Sequence, residues 1–223
     1  MRRFAAAFPL TENKRILDVG GTSEIWALLD GSEVTEIVLL NMPRAAADRE
    51  AELPGMRHVY GDGCLLPFAD GAFDIVFSNS VIEHVGGAEA QARFAGEIRR
   101  AGRAYWVQTP NRYFPIETHL LTPFIHLLPR AWRAFIVRRF TVWQWIHRPS
   151  EDQKRFYIEH FVSDIRLLSA DQMQRLFPDA VILRERFLLF TKSLIAYRPA
   201  RPDGRREAPG FASAAPGKRM ASG

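Results

Sequence analysis

Short apolar runs recur along this chain at 15–19, 36–40, 57–60, 73–78 and 105–109, each rich in Val, Ile, Leu or aromatic residues. Stretches of helical character fill the gaps between them. A strand that is apolar on both faces must be covered on both faces. This alternation therefore predicts an α/β fold, a mostly parallel sheet with helices on both sides. One helix is expected after Thr22, a second over 44–52 and a third over 88–100, where Phe94 and Ile98 fall four apart on one face. Ser169 is placed to cap a further helix running to Leu176, with Asp171 and Gln172 in its first turn and Pro178 to stop it. Two last strands, 181–187 and 193–197, are joined by the short connection 188–192. Such a link favours an antiparallel final pair.

With seven strands assigned, the stretch 114–161 fits neither half of the pattern. It is unusually rich in Trp, Arg and Pro, and reads as a helical, lid-like insertion between strands five and six, over the active site. Within it, 124–145 mixes apolar residues with arginines and tryptophans. A lid with an apolar underside and snorkelling arginines is the favoured reading, because a small sheet domain needs cover to exclude water. An amphipathic surface making peripheral membrane contact is the alternative. One domain over 1–198 is expected, followed by a Pro-, Gly-, Ala- and Arg-rich disordered tail at 199–223.

Charge narrows the partners. The net charge is +5, but the tail alone carries five basic residues against Asp203 and Glu207, and so supplies three of those five charges. No basic stripe interleaved with aromatics runs through the first half, so no nucleic-acid partner is expected. A single cysteine, Cys64, excludes an intrachain disulfide and a cysteine-built metal site, and no metal site is assigned. The start of the chain is too briefly apolar for a signal peptide, and no apolar run approaches the ~20 residues of a membrane span. The expected location is cytoplasmic, with contact at the inner membrane face as the variant.

Chemistry-bearing residues sit where strands end. Asp18-Val19-Gly20-Gly21 closes the first strand, and glycines there let the backbone turn tightly and approach a ligand. The helix start that follows would offer N–H groups to an anion. Asn41 follows the second strand, either as a hydroxyl-binding amide or as a turn-forming residue before Pro43. Asp62 in Gly61-Asp62-Gly63 follows the third strand, and Asn79 with Ser80 ends the fourth. Asp74 opens the fourth strand at the opposite end, where a structural role is expected. In open parallel sheets ligands lie at the carboxyl ends of strands.

The order 16–21, then Gly61-Asp62-Gly63-Cys64-Leu65-Leu66-Pro67-Phe68, then 73–85 resembles the small class I methyltransferases of the methyltransferase type 11 group. Leu65-Leu66-Pro67-Phe68-Ala69-Asp70-Gly71 with Phe73-Asp74 is its most specific part, and Val81-Ile82-Glu83-His84-Val85 matches the stretch after the fourth strand. The likeness spans about 15–109. It implies a Rossmann-like sheet and S-adenosyl-L-methionine as cofactor. By that resemblance Asp18 and Gly20 shape the methionine end of the site, Asn41 faces the ribose, Asp62 the adenine, and Asn79 the region near the reacting sulfur, with Gly21 and Gly63 also counted as cofactor-binding. Thr22-Ser23-Glu24 stands where the group usually has a further glycine, and Asn41 where it usually has an acid.

Methyl transfer from a sulfonium needs alignment and desolvation, and a base when the nucleophile is a hydroxyl. His84 is the first candidate base, against a helix histidine packed on the sheet. Glu83 beside it would point elsewhere on a helix. Tyr113 and His119, with Glu117, lie in the loop after the fifth strand, where an acceptor should bind. The expected activity is methylation of a small-molecule or lipid-like acceptor at oxygen. The rivals are a methyltransferase-fold binding protein impaired for cofactor, a membrane-surface adaptor and, weakest, a nicotinamide oxidoreductase.

Overall fold

A computed structural model describes residues 1–8, 14–27, 36–42, 55–117, 122–123 and 165–200. Nine strands and four helices are present among them. The strands are β1 (Arg15–Val19), β2 (Glu36–Asn41), β3 (Met56–Tyr60), β4 (Phe73–Asn79), β5 (Gly102–Pro110), β6 (Ile116–Glu117), β7 (Thr122–Pro123), β8 (Val181–Phe187) and β9 (Phe190–Arg198). The helices are α1 (Arg2–Ala7), α2 (Ser23–Ala27), α3 (Ala88–Ala101) and α4 (Ala170–Leu176).

Seven strands form one sheet in the order β3-β2-β1-β4-β5-β9-β8, and β6 pairs with β7 alone. The first five are mutually parallel, whereas β9 runs antiparallel to both β5 and β8. The predicted sheet, with its antiparallel last strand, is the observed one. Strand order reverses beside β1, which lies between β2 and β4, and this crevice is where such sheets receive ligands.

Side chains alternate between two cores, as the pleat requires. On one face Leu17, Val19, Val38, Leu40 and Val76 pack with Phe94 and Ile98 of α3 and Met173 of α4. On the other, Ile16, Ile37, Leu39 and Phe77 pack with Phe4, Phe8 and Trp26. Phe4 sits edge-on to Phe77 at 4.9 Å and to Trp26 at 5.8 Å. The short apolar start of the chain, to which the sequence reading gave no element, is thus a helix that closes this second core. Burying a Phe completely contributes about 2 kcal/mol, which a single helical turn cannot supply through hydrogen bonding alone.

Helix α3 buries Phe94, Ala95, Ile98 and Ala101 and passes directly into β5 at Gly102. A Cβ at Gly102 would lie 2.6 Å from the Ala104 carbonyl oxygen, so only glycine fits that junction. Helix α4 begins with the expected cap: the Ser169 hydroxyl accepts from Gln172 N–H, and the Gln172 side chain accepts from Ser169 N–H.

Several boundaries differ from expectation. β5 starts at Gly102 and β9 at Phe190, both three residues early. The link between β8 and β9 is therefore the two residues Leu188 and Leu189 rather than 188–192. The β6–β7 pair lies in the stretch assigned to a helical insertion. The expected helix over 44–52, the insertion beyond residue 123 up to 161, including 124–145, and the tail beyond residue 200 lie outside the described residues. No helix among the described residues is long and apolar enough to cross a membrane.

Candidate active site

Four adjacent parallel strands, β3, β2, β1 and β4, end on one edge, and the residues predicted to hold the cofactor fall in their last residues or on the turns that follow them. Gly20 leaves β1 at φ 79°, and its N–H donates to the Leu40 carbonyl at 2.8 Å, extending the ladder into the turn. A Cβ at Gly20 would stand 2.5 Å from Val81 Cγ2, and one at Gly21 would overlap the Asp18 carboxylate. Both glycines are thus fixed by close packing. Gly63 is as well: a Cβ there would lie 2.8 Å from the Phe94 ring.

Asp18 is fully buried beneath this turn. Trp26 Nε1 donates to its Oδ2 at 2.7 Å, while Oδ1 finds no hydrogen bond. Burial pushes the carboxyl up to about 7, against the opposing effect of the Trp26 bond. The group supports the glycine turn from within the core. Within α2, Trp26 carries its indole into the core.

Asn41 is the last residue of β2, in register with Tyr60, and its carbonyl accepts from Gly61 N–H at 2.9 Å. The turn before Pro43 lies outside the described residues. Asn41 Nδ2 donates to the Gly21 carbonyl at 3.0 Å. An ionised acid has no proton to give that carbonyl. An amide at this position ties β2 to the glycine turn and still presents an acceptor oxygen.

Asp62 is exposed after β3, and its Oδ1 accepts from Cys64 N–H at 2.8 Å in a local turn. Asn79 ends β4 opposite Gln108. Ser80 follows at φ 58°, its N–H donating to the Gln108 carbonyl at 2.9 Å. Ser78, unassigned by sequence, and Ser80 hold this corner. Ser78 Oγ donates to the Val19 carbonyl at 3.0 Å, joining β4 to β1, and Ser80 Oγ lies 3.4 Å from Asn79 Oδ1. Met42, Tyr60 and Leu65 are exposed on the same edge.

The expectation that Glu83 and His84 lie on a helix is overturned. Residues 82–84 form a turn in which His84 N–H donates to the Val81 carbonyl. Glu83 does not point away: it is fully buried, and its Oε1 lies 4.0 Å from His84 Nε2. Its Oε2 accepts from Thr109 Oγ1 at 2.9 Å. Gln91 Nε2 braces the turn by donating to the Ile82 and Arg166 carbonyls. The signal was in the sequence. Gly86 and Gly87 follow so closely on Ser80 that no stable helix fits between.

Tyr113 stands 69% exposed on the loop after β5, next to buried Phe114. Asn111 anchors that loop, its Nδ2 donating to the Thr191 carbonyl at 2.9 Å. Tyr113 N–H donates to Asn111 Oδ1 at 3.4 Å. Nothing is described of the Glu117 side chain, and His119 lies outside the described residues.

Residues 17–104 match the model of a methyltransferase domain family. A SAM-dependent methyltransferase from Methanosarcina mazei superposes with a TM-score of 0.53 at 10% identity, covering 90% of this chain and 99% of its own. An S-adenosylmethionine-dependent methyltransferase from Mesorhizobium loti gives 0.52 at 15% identity, covering 88% and 96%. A protein from Rhodobacter sphaeroides described as a putative Zn-dependent alcohol dehydrogenase gives 0.56 at 9% identity, covering 90% and 88%. At these identities the likeness is one of fold. No curated protein matches the sequence.

Proposed function

We propose that this chain, which carries a class I S-adenosylmethionine-dependent methyltransferase domain, methylates a hydroxyl oxygen of a small-molecule or lipid-like acceptor. S-adenosyl-L-methionine is the methyl donor, and it supplies a carbon activated by the neighbouring sulfonium. The observation that carries the reading is the order of Gly20-Gly21, Asn41, Asp62 and Asn79 along one sheet edge, inside the matched segment 17–104.

In this reading the glycine turn, backed by Asp18, approaches the methionine end of the donor. Asn41 keeps the turn closed through Gly21 and offers Oδ1 to a ribose hydroxyl. Asp62 accepts from the adenine amino group, beside Gly63, and Asn79 lies near the sulfur. Oxygen is favoured as the acceptor atom by the Glu83–His84 pair. The attacking hydroxyl forms the O–C bond as the C–S bond breaks and the thioether departs with the electron pair. His84 takes the hydroxyl proton, and buried Glu83, 4.0 Å away, stabilises the imidazolium so formed. Tyr113 and His119 are assigned to acceptor binding.

Calorimetry tests the reading directly. The purified chain should bind S-adenosylhomocysteine, and Asp62→Ala should weaken binding about tenfold, the loss of roughly one hydrogen bond. Absence of binding by the unmutated protein would end it. A second reading, a methyltransferase-fold protein that binds without catalysing, is favoured by Thr22-Ser23-Glu24 in place of a third glycine. Cofactor copurifying in a mass spectrum, together with turnover on a hydroxyl acceptor panel, separates the two.

A further inference from the structure

We infer that the β8–β9 hairpin tip is a docking element for the surface of an anionic lipid bilayer. Four consecutive apolar residues form the tip. Phe187 is 54%, Leu188 82%, Leu189 92% and Phe190 51% exposed, the largest contiguous apolar exposure among the described residues. Water-facing hairpin turns ordinarily take Gly, Asn or Asp. Here the first loop position is Leu188 at φ 53°, a conformation that glycine adopts freely and leucine does not. The sequence therefore keeps two leucines at a site where both solvation and backbone geometry oppose them.

The flanks supply the second observation. Arg184, Arg186 and Lys192 are exposed just behind the tip, with no ion pair among the described residues. Glu185 is the only acid in either strand, and it faces Gln108 Nε2 at 3.4 Å. An apolar apex with a basic collar one to three residues behind it places side chains below a headgroup layer and cations at the phosphates. At about 3.3 Å per strand residue the separation is up to ~10 Å, the depth at which interfacial elements sit. The tip is a convex two-residue turn, so it forms no groove for a partner segment. Its position also suits a lipid surface: β8 runs parallel to β1–β5, so the tip projects from the same edge as the glycine turns. The contact requires no methyl transfer.

The test uses the full chain without cofactor. Flotation with vesicles of 30% phosphatidylglycerol in phosphatidylcholine, about that fraction being enough to concentrate basic collars at a surface, should retain the unmutated protein. Neutral phosphatidylcholine should not. Leu188→Gly with Leu189→Asn should lower retention at least about tenfold while leaving the thermal midpoint equal or higher, because the turn is relieved. Arg184→Gln with Arg186→Gln should lower retention at low salt and flatten its salt dependence. The proposal is overturned if the tip variant floats as well as the parent, if the parent floats with neither vesicle, or if both vesicle types retain it equally. It is also overturned if sedimentation shows a dimer that only the tip variant dissolves, with no vesicle retention. That result would make the hairpin an interface between copies.

Discussion

The two ends of the sheet are built on opposite principles. At the amino end of the parallel strands nearly every charge meets its opposite. Arg15 and Arg57 share Glu36 at 2.8 and 3.1 Å, and Arg103 reaches Asp74. Arg100 joins Glu97, Asp70 and the Phe68 and Leu66 carbonyls. Asp179 gathers Arg198 at 2.6 Å, Arg99 at 3.2 Å and the Tyr105 hydroxyl at 2.6 Å. At the carboxyl end two acids, Asp18 and Glu83, are buried, and the turns carry the two non-glycine residues with positive φ among the described residues, Ser80 and Leu188. Strain and incompletely satisfied groups at one end persist because the rest of the structure holds them. The amino end closes the fold, and the carboxyl end carries the turns to which the proposed function assigns the ligand.

That contrast can be broken by mutation, and the largest effect belongs to the carboxyl end. His84→Gln should lower kcat about 10²- to 10⁴-fold, as loss of a general base does, with S-adenosylhomocysteine affinity unchanged in calorimetry. A matching fall in affinity would instead make His84 part of the cofactor site.

Next in size is the pH dependence set by Asp18. Its folded-state carboxyl titrates near 7, above the ordinary 3.8, so the folded state holds the proton more tightly than the unfolded chain. This group's contribution is favourable below pH ~4 and is lost as pH rises through ~7, on the order of 4 kcal/mol by pH 8. Denaturant titrations across that window should show the slope, and Asp18→Asn should flatten it.

Gly21→Val, which drives side-chain atoms into the Asp18 carboxylate, should cost about 3 kcal/mol and weaken S-adenosylhomocysteine binding as well. Asp179→Ala, at the amino end, should cost about 2 kcal/mol in chemical denaturation and leave cofactor affinity alone. If it changed affinity, the two ends would be energetically coupled and the contrast less sharp. Arg57→Ala removes an exposed pair and should cost about 0.5 kcal/mol or less.

Much of the fold was legible before any coordinates. Strands buried on both faces leave unmistakable apolar runs, so β1, β2 and β4 fall within one residue of their predicted bounds. The Ser169 cap was readable because its hydrogen bonds are local. Element ends were less so: β5 gains its first three residues by pairing with β4, a segment distant in sequence, and β9 gains Phe190–Lys192 by closing the hairpin with β8. Helix α1 was invisible because two phenylalanines in an eight-residue start have no periodicity to read.

The site divides along the same line. Sequence alone fixed which residues stand on the strand-ending turns, since strand ends are set by local pattern and glycine. Only the tertiary structure decided what those residues do to each other. It pairs Glu83 with His84 and Thr109, seats Asp18 under Gly21 and against Trp26, and binds the Asn41 amide to the Gly21 carbonyl. The departure from an acid at position 41 has its physical reason there: a carbonyl needs a donor, and the donor comes from another strand. Contacts of that kind depend on which strands become neighbours, and the fold sets that order.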